Sequence, residues 1–539
     1  MADRQALKRI IDTMLQLVNT CDSQAAYRLM ELLQPNLPWE RSLWGFGFEL
    51  SNLELLEACD ALRLGHLSEG SLKNLIGTIK AQIGPDPALD NRQKQTLQDR
   101  LKEPPRSGGE AYHSIRQLTE SIASTYLLQW GRVVSNGTNK PYQPERFAKS
   151  VAAFILDKGF SSTFVLNEWF KPYLTNEAVT IALPNFLEEL HQLVAENPSR
   201  NFQVLVAFQR APCVRPPGWL TTAQVKNWLT EQQHSISGVR PSGGMLLEVE
   251  ARDPYAAAEV ARTILRRYSA RAELGAKAPI NLLNELWVKD FPIVHALNHA
   301  PRGVRVEALS REQLIFSQES GTPIGRRVDA AIELLAHMED KSPAAAIAGG
   351  WGAIEGLLAD PNNRSGAAEH LAPLVTCSLP RAELTALSYK IQKEHPDLIT
   401  GLAGCTVNRE RALMVARVVA SGDPIPLRRD ADQAAIRRIQ RILTNPTPEL
   451  RAIRELIASA FQRLYRQRNL ILHGGFTSSI ALSGSLRTAS KLAGAGMDRI
   501  VHGLYVNNVE PLELVARANL GIDLMDPNHP ERCVDLLGA

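Results

Sequence analysis

Arg468, Asn469 and His473 are the residues whose types and spacing point most directly to chemistry. They lie in the stretch Tyr465-Arg-Gln-Arg-Asn-Leu-Ile-Leu-His-Gly-Gly475. A fixed cation, an amide and an imidazole together can hold a phosphate and move its protons, which is what cutting RNA without a metal requires. The bare spacing carries little. An Arg five residues before a His is expected about once by chance in this composition, and requiring Asn after the Arg lowers that to roughly 0.05.

The elements that must position these groups carry more. From Glu449 onward Leu450, Ile453, Leu456, Ile457, Phe461, Leu464 and Ile471 recur at helical spacing, which predicts a helix over Glu449–Leu472. Tyr465, Asn469 and His473 follow at i, i+4 and i+8 on one ridge, with Arg468 about 100° around the helix. Arg468 therefore falls beside an apolar stripe, where a guanidinium is costly unless it meets an anion, a carboxylate or a subunit interface. Gly474 and Gly475 stop the helix and leave His473 at its C-terminal end. The bland alternative is a histidine that only caps the last carbonyls.

Charge gathers around the same place. Between Arg428 and Arg468 there are ten Arg, four acids and no Lys. Arg437, Arg438 and Arg441 on one predicted helix and Arg463 on the next make a footprint for a polyanion such as RNA. A solvated basic face is the competing reading.

This C-terminal region resembles the HEPN superfamily, over about Glu312 to Asn519. HEPN domains are helical bundles with an Arg-polar-x3-His motif near the end of a late helix. The upstream helix Ala344–Leu358 carries Trp351-Gly-Ala-Ile-Glu355-Gly-Leu, similar to the W-x-x-x-E-x-L helix of the phage-defence type called ApeA-like. The resemblance implies a C-terminal HEPN-like bundle and an endoribonuclease of antiviral defence or toxin-like growth arrest. Its products would be 2′,3′-cyclic phosphate and 5′-hydroxyl ends, made with no cofactor and no metal. Arg468, Asn469 and His473 would be catalytic, with Glu355, Tyr465 and Arg466 in support and Glu355 pairing with Arg468 or Arg466. Relatives build the site from two subunits, which implies a homodimer or higher even oligomer. RNA, tRNA included, is the implied substrate, and the N-terminal half is the expected seat of a phage-derived trigger. HepT-like toxins continue the motif as His-x-Tyr; here that position is Gly475, which argues against their form of control. A non-catalytic bundle that docks RNA or protein is the alternative.

The whole chain, 539 residues with a net charge of +3, is expected to be mainly α with a smaller α+β middle region. Expected segments are a helical domain at 1–134, an α+β domain at 135–310 and the bundle at 311–539. Strand candidates are Val179–Leu183, Gln203–Phe208, Met245–Glu250 and Gly303–Leu309. Met245–Glu250 followed by a long helix suggests half of a βαβ unit, but no phosphate-binding glycine loop accompanies it. The aromatic stretch around Trp39 and Trp44 reads as buried packing. His295 and His299 stand four apart without a clear third metal ligand, which favours a structural role. Six scattered Cys read as buried single thiols of a reducing compartment. No apolar run approaches a membrane span, and the N-terminus does not read as a signal peptide, so a cytoplasmic protein is expected.

Overall fold

The structure, a computed structural model, describes residues 20–136, 142–170, 181–235, 238–276, 279–298, 301–317, 321–340, 342–360 and 364–538. It is mainly helical, with one small antiparallel sheet in the middle of the chain. Packing divides it into two compact units and not into the three segments expected. One comprises residues 1–154, 173–187 and 302–539; the other comprises 155–172 and 188–301. The N-terminal helices and the C-terminal bundle thus share a unit, because residues of one neutralise charges buried in the other.

The first helices are α1 (Thr20–Leu32), α2 (Phe48–Arg63), α3 (Glu69–Ile83), α4 (Asn91–Arg100), α5 (Glu110–Ala123), α6 (Tyr126–Ser135) and α7 (Pro144–Asp157). Helix α2 closes on Gly65 at φ 76°, where the His66 N–H reaches back to the Ala61 carbonyl at 2.9 Å. This left-handed close satisfies the last-turn carbonyls and fixes the exit of the chain. Trp44 is buried in the core and half-buried Trp39 packs against it, close to the buried packing that the aromatic stretch predicts.

The smaller unit holds most of α8 (Leu183–Glu196), then β1 (Arg200–Phe208), α9 (Thr222–Glu231), β2 (Gly243–Ala251), α10 (Pro254–Ala276), β3 (Leu282–Val288) and β4 (Val294–Ala296). The sheet order is β2-β1-β3-β4. Since β1 runs antiparallel to both β2 and β3, those two are parallel to each other with α10 joining them. The half βαβ reading is completed in this split form, with β1 inserted between the two parallel strands. Phe202, Val204, Val206 and Phe208 of β1 pack toward Ala257, Ala261 and Leu265 of α10. Leu205 and Ala207 face Val225 and Leu229 of α9 on the other side. Two strand expectations need correction. Gly303–Leu309 is not a strand, and a short helix at Glu307–Arg311 occupies its second half; Leu183 starts α8, and Val179 and Thr180 lie outside the described residues.

The bundle contains α11 (Pro323–Asp340), α12 (Pro343–Leu358), α13 (Ala367–Glu394), α14 (Asn408–Ser421), α15 (Asp430–Thr444), α16 (Pro446–Gly474), α17 (Leu482–Tyr505) and α18 (Pro511–Asp523). Two helices expected at Gly366–Cys377 and Arg381–Glu394 are one, passing through Pro373 and Pro380. An interior proline forfeits a backbone bond and costs about 3 kcal/mol. Both prolines are buried, and that burial offsets the cost. Helix α16 packs against α12, α13 and α17, and α1 packs against α15. Among the described residues, no helix is long and apolar enough to cross a membrane.

Candidate active site

Pro446 opens α16 at its first turn, and Gly475 ends it at φ 67°. The Gly475 N–H meets the Ile471 carbonyl at 3.1 Å, and the Phe476 N–H meets that of Leu470 at 3.1 Å. His473 is thus not needed as a cap and stands exposed in the last turn. Arg468 Nη1 donates to Asn469 Oδ1 at 3.0 Å and to His473 Nε2, also at 3.0 Å. An arginine can only donate, so Nε2 is the acceptor and the ring proton resides on Nδ1. The three residues singled out by sequence therefore share one hydrogen-bonded cluster. Asn469 is 7% exposed, Arg468 is half-buried and His473 faces solvent, an arrangement that anchors the clamp and leaves the imidazole reachable.

The upstream Trp351–Glu355 helix, α12, lies beside this cluster. The Trp351 ring is fully buried and meets the Tyr465 ring at a centroid distance of 4.9 Å. Tyr465 is therefore packing support for the motif helix. Glu355 sits half-buried one turn beyond Trp351. Arg466, offered as its partner, has gone elsewhere: Nε and Nη2 both donate to Glu54 Oε1 of α2, at 3.1 and 2.9 Å. Arg463 Nε donates to the other oxygen of the same carboxylate at 2.7 Å, and its guanidinium lies over the Phe46 ring. All three side chains are at most 3% exposed. Burial raises the Glu54 carboxyl, but Arg463 and Arg466 outweigh it and hold the group below its ordinary value.

The expected RNA track must be corrected accordingly. Arg463 is consumed by Glu54. Arg438, 12% exposed, is held by two carboxylates, with Nη2 on Glu383 at 2.7 Å and Nη1 on Glu145 at 3.4 Å. Glu145 also takes Arg28 at 2.9 Å, and Glu383 takes Arg41, whose Nη1 reaches Asp432 at 2.8 Å. Two of the four Arg offered as RNA contacts are thus internal ion pairs; Arg437 is half-buried, and Arg441 is exposed in the last turn of α15. A cavity of about 60 Å³ opens among Arg28, Glu40, Glu145, Glu383 and Arg438. Burial there pushes the Glu40 carboxyl up to about 7.

Two further groups near the motif escaped the sequence reading. Glu57 of α2 accepts from Ser479 Oγ at 2.6 Å and from the Ile480 N–H at 3.4 Å, so the loop after the motif is tied down. His66, at the end of α2, sets its ring edge-to-face on Phe476 at 5.8 Å. A Cβ on Gly474 would stand 3.0 Å from the His66 ring, a tight contact that the glycine avoids.

In the smaller unit His295 is 6% exposed and its ring packs between those of Tyr255 and Phe291. Burial lowers it to about 4, which keeps it neutral. His299 lies outside the described residues. Cys213 is exposed and Cys405 half-buried, whereas Cys59, Cys377 and Cys533 are buried as expected. No family model, no curated protein and no solved structure matches this chain.

Proposed function

We propose that the chain is an RNA endonuclease of the HEPN type that works by acid–base chemistry without a metal, in antiviral defence or growth arrest in the cytoplasm. One observation carries the reading: Arg468 Nη1 lies 3.0 Å from both Asn469 Oδ1 and His473 Nε2, at a solvent-exposed helix end. Glycines Gly474 and Gly475 and the packed Trp351–Tyr465 pair give that cluster a rigid mount. An incoming phosphodiester competes for the Arg468 N–H groups. Once it takes them, Nε2 of His473 is free to accept the proton of the ribose 2′-hydroxyl. The 2′-oxygen attacks phosphorus, and Arg468 stabilises the charge building on the non-bridging oxygens. Asn469 holds the guanidinium in place from a buried position.

Purified protein tests this with end-labelled RNA in EDTA. Cleavage with 2′,3′-cyclic phosphate ends is the expected result. His473→Ala should slow it about 100- to 10,000-fold, and Arg468→Lys should also fail, because an ammonium does not reproduce the planar fork on phosphate. Binding without cutting by the wild-type protein would instead assign it to RNA or protein docking.

A further inference from the structure

One Arg-Asn-His cluster contains a single imidazole. Cleavage by internal attack needs two proton transfers: one from the 2′-oxygen and one to the leaving 5′-oxygen. We infer that His66 of the same chain supplies the second, acting as the acid for the leaving group. This rests on the nuclease reading above.

Three features bring His66 beside the end of the motif helix, next to His473. Helix α2 is fastened alongside α16 by Glu54, which binds Arg463 and Arg466 in a fully buried cluster. From Glu54 to His66 is 12 residues, and from Arg463 to Gly474 is 11, so the two helices run in the same direction and finish at the same level. The left-handed close at Gly65 then fixes the His66 backbone through its bond to Ala61. Finally, the ring is held on Phe476 and abuts Gly474, the residue that follows His473. A Cβ at position 474 would collide with the Phe476 ring and crowd that of His66, so the glycine lets both rings settle against the end of α16. His66 is only half-buried, so a substrate can reach it.

The step balances. His473 Nε2 takes the 2′-hydroxyl proton as the 2′-oxygen forms its bond to phosphorus. The bond from phosphorus to the 5′-oxygen breaks, and protonated His66 delivers its proton to that oxygen. A 2′,3′-cyclic phosphate and a 5′-hydroxyl result, and the two imidazoles exchange protons with water before the next turn. Both imidazoles then come from one chain, in place of the second copy that the resemblance implies.

Two substrates separate acid catalysis from packing. One is ordinary RNA; the other is a nucleoside 3′-(p-nitrophenyl phosphate), whose leaving group departs without protonation. His66→Ala should lower RNA cleavage about 100- to 10,000-fold and leave p-nitrophenol release within about threefold of wild type, whereas His473→Ala should suppress both. Equal losses on both substrates for His66→Ala would assign the ring to structure and overturn the inference, as would undiminished RNA cleavage. His66→Asn, which keeps a planar polar group against Phe476, checks folding and should behave as His66→Ala does. Mixing His66→Ala with His473→Ala chains should not restore RNA cleavage, and restoration would place the two imidazoles on different chains. A wild-type protein inert on both substrates would instead remove the nuclease reading itself.

Discussion

Replacing Glu54 by alanine is the most demanding test of how the motif helix is held. Glu54 is 2% exposed and accepts three charge-assisted hydrogen bonds, one from Arg463 and two from Arg466. Alanine deletes the carboxylate and strands two guanidinium groups with nowhere to go, since both side chains are 3% exposed. Breaking a buried pair by removing one partner costs about 3–5 kcal/mol, and here one acid serves two bases, which argues for the upper half of that range. A domain has about 5–15 kcal/mol in total, so the variant should sit near the edge of folding. Urea unfolding at pH 7 reads the loss as a fall in midpoint, and hydrogen exchange over α2 and the end of α16 shows where it is felt. The acid dependence gives a second readout. Glu54 titrates below its ordinary value of 4.5 when folded, so its contribution is complete above that pH and disappears as the pH falls through the lower folded value. Glu54→Ala should lack that part of the acid transition. A variant within about 1 kcal/mol of wild type would refute the argument, because it would mean that the two arginines find other partners or water. Replacing all three residues by apolar side chains of similar volume should recover most of the loss.

Glu40 should behave in the opposite sense. Its folded value near 7 lies above 4.5, so its stabilising contribution is present below pH 4.5 and is lost as the pH rises through 7. Glu40→Gln should therefore raise the melting temperature at pH 8, by an amount worth roughly 3 kcal/mol at most, and have little effect at pH 4. Gly475→Ala should cost about 1 kcal/mol and loosen the last turn of α16, because a side chain at φ 67° is strained; cleavage and melting should fall together. Trp351→Ala should cost about 3–5 kcal/mol by opening a cavity under Tyr465; a melting curve like that of wild type would show that the bundle closes over the gap.

The helices of the bundle were legible because each buries a stripe at helical spacing between breakers, and α16 announces both its ends with Pro446 and Gly475. The cluster of Arg468, Asn469 and His473 was legible for the same reason: helical spacing within nine residues fixes geometry. What failed was charge. Ten arginines in one segment look like a surface for a polyanion when their counter-charges are out of view. Glu145 lies 293 residues from Arg438, and Glu54 lies 409 from Arg463. No local window contains such pairs. The continuous α13 was read as two because proline breaks helices in water, and only burial makes Pro380 tolerable within one. Strand β3 was missed because Asn284 and Glu285 interrupt its apolar pattern. His66 could not be found at all, since one histidine after a glycine carries no signal until α2 is laid against α16.

The long separation between Glu54 and Arg463 also sets a schedule for synthesis. A ribosome adding about 5–20 residues per second needs roughly 20–80 s to travel the 409 residues between them. Throughout that interval the carboxylate of α2 lacks Arg463 and Arg466, and the ring of His66 has no Phe476 to lean on. The smaller unit, whose segments end at residue 301, is fully translated before α16 exists. The geometry that joins α2 to α16 therefore arises only once residues 463–476 have been made, long after α2 itself.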